Sequence, residues 1–224
     1  MIRLKIITNR TLCKKSLEET LESVFKVYFR DKNKDRKQEK SSLKNTQKRS
    51  SDIDTYLKNF KVESIVLREK DMSEDEYNKL YLSIKNITSK YGIPLFSHLH
   101  YKSKVFEEGG LIHLPLYVLE DINGKEDEKK RLLKKYMEIG VSVHSAEEAV
   151  YAEKMGATYV TFGHVFETYC KKGLKPRGLE ALRKVCSSVD IPVYAIGGIN
   201  SENAEIAIEN GAYGVCIMSG IMNL

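Results

Sequence analysis

The sequence predicts an α/β chain folded as a (β/α)8 TIM barrel. Three observations predict it. Eight short runs rich in β-branched residues recur along the chain, amphipathic helical stretches fall between most of them, and 224 residues suit one barrel domain spanning 1–224. A doubly wound parallel sheet is the competing topology.

The expected strands are Leu4–Thr8, Ser64–Arg68, Leu95–Leu99, Gly110–Leu114, Glu138–Val143, Tyr159–Phe162, Val193–Ile196 and Gly214–Met218. They read as near-continuous apolar runs, the pattern of parallel strands covered on both faces. The first expected helix, Leu17–Phe29, carries apolar residues at Leu17, Leu21, Val24, Phe25 and Val27. Ser73–Tyr91 opens Ser-Glu-Asp-Glu, with Ser73 as cap and acids suited to the first turn. Ser145–Gly156 opens with a capping-box pattern, Glu148 at the third position, and ends on glycine. Gly178–Ser187 follows, then Ser201–Gly211, for which Ser201 is the expected cap. Only six residues follow Met218, so the eighth helix is expected to be truncated or missing. The seam beside the first and last strands would then lack its usual cover. A partner subunit, most simply in a homodimer, or the basic segment described next could supply it.

Lysine and arginine total 37 against 31 acids, a formal surplus of +6. Between Arg30 and Ser50 stand nine basic residues and three acids, so this window holds the whole surplus and the remainder is neutral. The window is polar and nearly free of aliphatic residues, so 30–52 is expected to be an exposed or disordered insertion between the first helix and the second strand. Its lysines are not interleaved with aromatics, so nucleic acid is not the expected partner. No apolar run reaches the ~20 residues of a membrane span, and no signal-peptide core is present. The four cysteines (13, 170, 186, 216) are scattered without a CxxC pair, which points to free thiols in a cytoplasmic setting and gives no zinc pattern.

Candidate chemistry gathers late in the chain. Ala195-Ile196-Gly197-Gly198-Ile199 ends a strand, and Met218-Ser219-Gly220 ends the next. Two adjacent strands ending in small, donor-rich loops suit a phosphate at Gly197, Gly198, Ser219 and Gly220. Positive-φ turns would account for the same glycines. His164 follows a strand at the face where barrel chemistry sits, where it can be a proton-transfer group or a satisfied structural histidine. Thr168, Lys171 and Lys172 form a hydroxyl and ammonium set for an anion, or the two lysines are simply solvated in a loop. Arg68 and Lys70 lie two apart, so strand alternation puts both on one side. Ser142 stands two before His144 at the end of the fifth strand.

The segments LREK (67–70), GVSVHS (140–145), YVTFGHVFETYCKKG (159–173), IPVYAIGGI (191–199) and GVCIMSGI (214–221) resemble the thiamin phosphate synthase superfamily. Within it, GHVFET followed by CKKG looks like the TenI-type thiazole tautomerase branch, since synthases usually carry proline where His164 stands. The resemblance implies thiamin biosynthesis and a metal-independent isomerase aromatising a thiazole phosphate carboxylate, with His164 as the proton-transfer residue. It implies a phosphorylated thiazole partner, no cofactor, phosphate on the Gly197/Gly198 and Ser219/Gly220 loops, and Arg68, Lys70, Ser142, Thr168 and Lys171 around the remainder. Two alternatives stay open: a thiamin phosphate synthase joining a pyrimidine pyrophosphate to thiazole phosphate at an atypical metal site, and a non-catalytic ligand-binding or regulatory relative. Synthases hold magnesium with an Asn-Asp pair after the third strand and an acid after the fourth. Here those places read Phe96-Ser97-His98 and His113-Leu114-Pro115-Leu116-Tyr117. His98, His100 and His113 together could instead hold a transition metal, or simply mark divergent third and fourth strands with partly exposed histidines.

Overall fold

A computed structural model describes residues 1–32, 53–106 and 109–224. Eight parallel strands close into a barrel in chain order: β1 (Ile2–Ile7), β2 (Phe60–Val66), β3 (Leu95–His98), β4 (Gly110–Pro115), β5 (Tyr136–Val143), β6 (Tyr159–Gly163), β7 (Val193–Ile196) and β8 (Gly214–Ile217). Closure is carried by β1 against β8, with Leu4 opposite Val215 and Ile6 opposite Ile217. The outer elements are α1 (Leu17–Lys32), α2 (53–57), α3 (Glu74–Lys90), α4 (Leu116–Ile122), α5 (Glu126–Lys135), α6 (Ala146–Lys154), α7 (Gly178–Cys186), α8 (Ala204–Glu209) and α9 (Ser219–Met222). The basic insertion lies outside the described residues from position 33 to 52; Arg30 falls in the last turns of α1.

Strand alternation divides the apolar residues between two cores. Leu4, Ile6, Ile65, Val160, Ala195 and Val215 join the helices in the outer core. Ile7, Val66, Phe96, Tyr159, Tyr194 and Cys216 form a separate cluster. Phe96 on β3 meets Tyr159 on β6 with ring centroids 5.5 Å apart, a contact possible only across the barrel interior. Lys5 enters the same space. Its ammonium lies 4.3 Å from the Phe96 and Tyr159 ring centres and 4.9 Å from that of Tyr194, and it donates to Ser64 Oγ at 3.1 Å. Aromatic faces and one hydroxyl thus replace water around the charge, and burial still lowers its pKa.

The expected caps hold at two helices. Ser73 and Glu76 form a reciprocal capping box on α3, and Ser145 caps α6 through the Glu148 amide. Ser201 does not cap α8. The Asn200 carboxamide accepts from the Glu202 and Asn203 amides, which holds a turn there, and the helix begins at Ala204 behind Asn203. Two helices, α4 and α5, stand between β4 and β5, where the apolar spacing is too short to announce them. Strand β2 ends at Val66, so Arg68 lies in the loop beyond it rather than in the strand.

The seam between β1 and β8 is filled rather than bare. The short α9 buries Ile221 and Met222 completely or nearly so, and packs on α1 and on the 3-10 turn Arg10–Leu12. Met222 meets Cys13, sulfur to sulfur, at 3.8 Å. Tyr56 of α2 stands so close over Gly220 that a Cβ there would collide with its hydroxyl. No helix among the described residues is long and apolar enough to cross a membrane. If α9 closes the barrel in this way, Ile221→Ala should lower the unfolding free energy by about 2–5 kcal/mol, read from urea denaturation. A loss near zero would mean that the seam does not depend on this contact.

Candidate active site

All eight strands run in one direction, so their C-terminal ends share one mouth, the face on which barrel chemistry is built. Glu69 organises its β1/β2 side. The carboxylate is buried, accepts from the Thr8 hydroxyl at 2.6 Å and from the Arg10 amide at 3.1 Å, and pairs with the Arg10 guanidinium at 3.2 Å. Arg10 also forks onto Asp71 at 2.6 and 2.8 Å. Arg68 and Lys70, the chain neighbours of Glu69, lie in the same loop, beyond the end of β2. Arg68 is half-buried, and its pKa is lowered by burial. That of Lys70 is lowered by burial and then by the nearby charges of Arg68 and Lys171. Three cations therefore face one another across the β2 and β6 loops. Such mutual repulsion suits an anionic occupant.

The opposite rim is a packed double loop. Val165 and Phe166 donate their amides to the carbonyls of Ile196 and Gly197 at 2.9 and 3.0 Å. Gly197 and Gly198 have φ of 97° and 69°. A Cβ on Gly197 would strike the Cα and Cβ of His164, and one on Gly198 would strike Phe166 and the Glu167 carbonyl. Glycine is thus required here by backbone conformation and by close approach at once. Among the described residues the Gly197 and Gly198 amides have no backbone acceptor of their own. Ser219 and Gly220 open α9 beside them. His164 is half-buried over Gly197, and its Nε2 lies 3.2 Å from the Leu174 carbonyl of its own loop. Arg177 ties that loop to β6 through the Gly163 carbonyl at 3.0 Å. Thr168 leads into a 3-10 turn that carries Lys171.

Between the rims, the barrel interior is polar. His113 on β4 has both ring nitrogens engaged: Nδ1 with the Tyr159 hydroxyl at 3.0 Å, Nε2 with Ser142 Oγ at 2.8 Å. Thr161 reaches the same Ser142 oxygen at 3.4 Å. His98 stacks 6.3 Å from His113, while His100 lies against Tyr77. Burial, then neighbouring positive charge, pushes the pKa of His113 down from 6.5 to about 3 and that of His98 to about 2. Both are neutral in the folded state near neutral pH. The three histidines do not converge. Among the described residues no group of three or more His, Cys, Asp or Glu side chains could hold a metal ion. The positions after β3 and β4 offer imidazole, leucine, proline and tyrosine. Glu69, the buried carboxylate at the mouth, already has its oxygens occupied. Magnesium requires hard oxygen ligands, so these residues do not fit it.

A sequence profile described as thiamine monophosphate synthase matches residues 39–221. The chain belongs to this family. It is 38% identical over 159 residues to a thiamine-phosphate synthase of Clostridium acetobutylicum, covering 71% of this chain and 73% of that protein. It is 50% identical over 84 residues to a thiamine-phosphate synthase of Pyrococcus furiosus, covering 38% and 41% of the two chains. The solved thiamine phosphate pyrophosphorylase from Pyrococcus furiosus superposes with a TM-score of 0.67 at 26% identity, covering all of this chain and 88% of the other. An N-acetylmannosamine-6-phosphate 2-epimerase from Clostridium perfringens, at 13% identity and a TM-score of 0.56, shares the fold alone. The relatives overturn the expected thiazole tautomerase and isomerase. Their shared name is that of a synthase, a transferase, and it is this alternative that family membership supports.

Sequence reasoning missed the roles of Tyr159, Thr161 and Glu69, and left His113 between a metal patch and a divergent strand. Period-2 alternation places His113, Ser142 and Thr161 on inward faces, and that signal could have grouped them. The neutral histidines carry a pH consequence. The unfolded chain takes up protons below about pH 6.5, whereas the folded chain does so only near pH 3 or lower. Stability is therefore full above pH 6.5 and should fall on acidification by up to about 1.4 kcal/mol per pH unit for each histidine. Urea titrations between about pH 6 and about pH 4 should show a shallower slope in His113→Gln than in the parent. Equal slopes would contradict a neutral buried His113.

Proposed function

We propose that this chain is a transferase of the thiamin phosphate synthase type, joining a pyrimidine pyrophosphate to a thiazole phosphate with loss of pyrophosphate. The observation that carries the reading is the Arg68, Lys70 and Lys171 cluster facing the amide-lined rim of Gly197, Gly198, Ser219 and Gly220. One side supplies full positive charges, the other backbone donors, and the two suit two separate phosphate groups. In the reaction the carbon–oxygen bond to pyrophosphate breaks as the bond to the thiazole partner forms, and the electron pair leaves on pyrophosphate. Preorganised cations stabilise that leaving charge. Arg68 and Lys70 are assigned to it, with Lys171 closing from the β6 loop. Ser142 and Thr168 orient the bound groups. His164 packs over Gly197 and shapes the floor of the phosphate rim. No step is derived through magnesium, because the residues after β3 and β4 do not fit it. The proposed setting is the cytoplasm, with the four cysteines as free thiols.

Incubation with both substrates should yield thiamin phosphate and pyrophosphate, separated by chromatography. Absence of product with a folded, ligand-binding protein would overturn the proposal. Arg68→Met should lower kcat/KM by about 100-fold and Lys70→Met by about tenfold, with unfolding midpoints close to the parent. Unchanged turnover in both variants would remove the cation cluster from the mechanism.

A further inference from the structure

The interior hydrogen bonds can be counted to a single arrangement. Tyr159, His113 and Thr161 are 2–4% exposed, so water does not satisfy them. Among the described residues the Tyr159 hydroxyl has one partner, His113 Nδ1. If Nδ1 carried the ring proton, it would donate to the phenol oxygen and leave the phenol hydrogen orphaned in the core, which costs about 1–3 kcal/mol. If instead the phenol donates to Nδ1, the ring proton sits on Nε2 and is donated to Ser142 Oγ, 2.8 Å away. Thr161 Oγ1 lies 3.4 Å from both His113 Nε2 and Ser142 Oγ. With Nε2 protonated, Ser142 Oγ is the acceptor that keeps the buried Thr161 hydrogen from being orphaned, so Thr161 donates there. Both lone pairs of that oxygen are then filled, and only its hydrogen is left to give. Ser142 is half-buried, one residue before the end of β5, and with Thr161 as donor its hydrogen has no other acceptor among the described residues.

From this geometry we infer that His113 is a positioning residue which, with Tyr159 and Thr161, fixes Ser142 as a one-way hydrogen-bond donor to an anionic oxygen of the ligand. The inference deepens the transferase reading and rests on it for the ligand class. A hydroxyl that cannot accept discriminates in favour of phosphate or pyrophosphate oxygens and against groups that offer a hydrogen, which would be left unpaired. The Arg68 charge bears on the same place, since it also acts on His113. Donor and cation thus approach one anion from β5 and β2. Lys5 completes the arrangement from below: its ammonium rests on the Tyr159 ring, which it helps hold in place.

The test pairs a spectroscopic readout with binding. In 15N NMR of the parent, His113 should show a protonated Nε2 and a bare Nδ1 across pH 6 to 8, and Tyr159→Phe should release the ring into a mixture of tautomers. A protonated Nδ1 in the parent overturns the inference without reference to any ligand. By calorimetry with inorganic pyrophosphate as the probe, Ser142→Ala and His113→Leu should each weaken binding by about tenfold, and the double variant should be no weaker than either alone. His113→Gln, which keeps an N–H to donate, should recover most of the affinity. Additive losses, or no loss in His113→Leu, overturn the inference while the transferase reading stands. The reverse outcome, coupled losses in a protein that makes no thiamin phosphate, overturns that reading and supports the positioning role. Should the His113→Leu variant fail to fold, Tyr159→Phe and the glutamine variant decide the matter.

Discussion

Lys5 places an ammonium group inside the barrel among the rings of Phe96, Tyr159 and Tyr194, and the layers above follow from how that charge is accommodated. Among the described residues no carboxylate makes an ion pair with it. Aromatic faces and the Ser64 hydroxyl surround it, so the floor must consist of large rings drawn from three strands. Tyr159 serves two layers. Its ring faces Lys5, and its hydroxyl faces His113. Gly140 makes this possible, because a Cβ there would occupy the space of both the Tyr159 ring and His113. A charge at the bottom is thereby linked through one phenol and one imidazole to a hydroxyl at the mouth.

The mouth reverses the electrostatic pattern of the floor. Arg10 is tied to Glu69 and Asp71, which commits the acids of the β1/β2 side to loop architecture. Arg68, Lys70 and Lys171 are left near one another, and among the described residues none of them makes a side-chain ion pair. Folding has placed positive charge where it is unfavourable for the empty chain and favourable for an anionic complex. Binding an anion there should stabilise the fold in proportion to its affinity.

The barrel was readable because its signals are local and repeated. Each apolar strand run ends within two residues of where the structure ends it, although β2 begins at Phe60, earlier than its apolar run. Caps were readable where one side chain does the work, as at Ser73 and Ser145. They failed at Ser201, where Asn200 and Asn203 each accept from the other's amide and hold a turn instead. Helices α4 and α5 were missed because one is only two turns long and the other is dominated by charge. The candidate site divided along the same line. The nearness of Arg68 and Lys70 follows from their being two residues apart in one loop. The link from His113 to Ser142 spans 29 residues and that from His113 to Tyr159 spans 46, and only barrel closure brings them together. The tautomerase expectation rested on His164 in one loop and on the acids absent after the third and fourth strands, and the wider likeness of the chain outweighs both.

The double glycine after β7 has a consequence for how such chains diverge. Gly197 and Gly198 are pressed against His164, Phe166 and Glu167, so the β6 loop and the β7 turn are moulded to each other. A descendant that lost every ligand contact would still need both glycines to keep its loops seated. The pair can therefore outlast the activity it once served. In this lineage drift at the mouth should be recorded first in the cations, which the fold does not need, and last in the glycines, which it does.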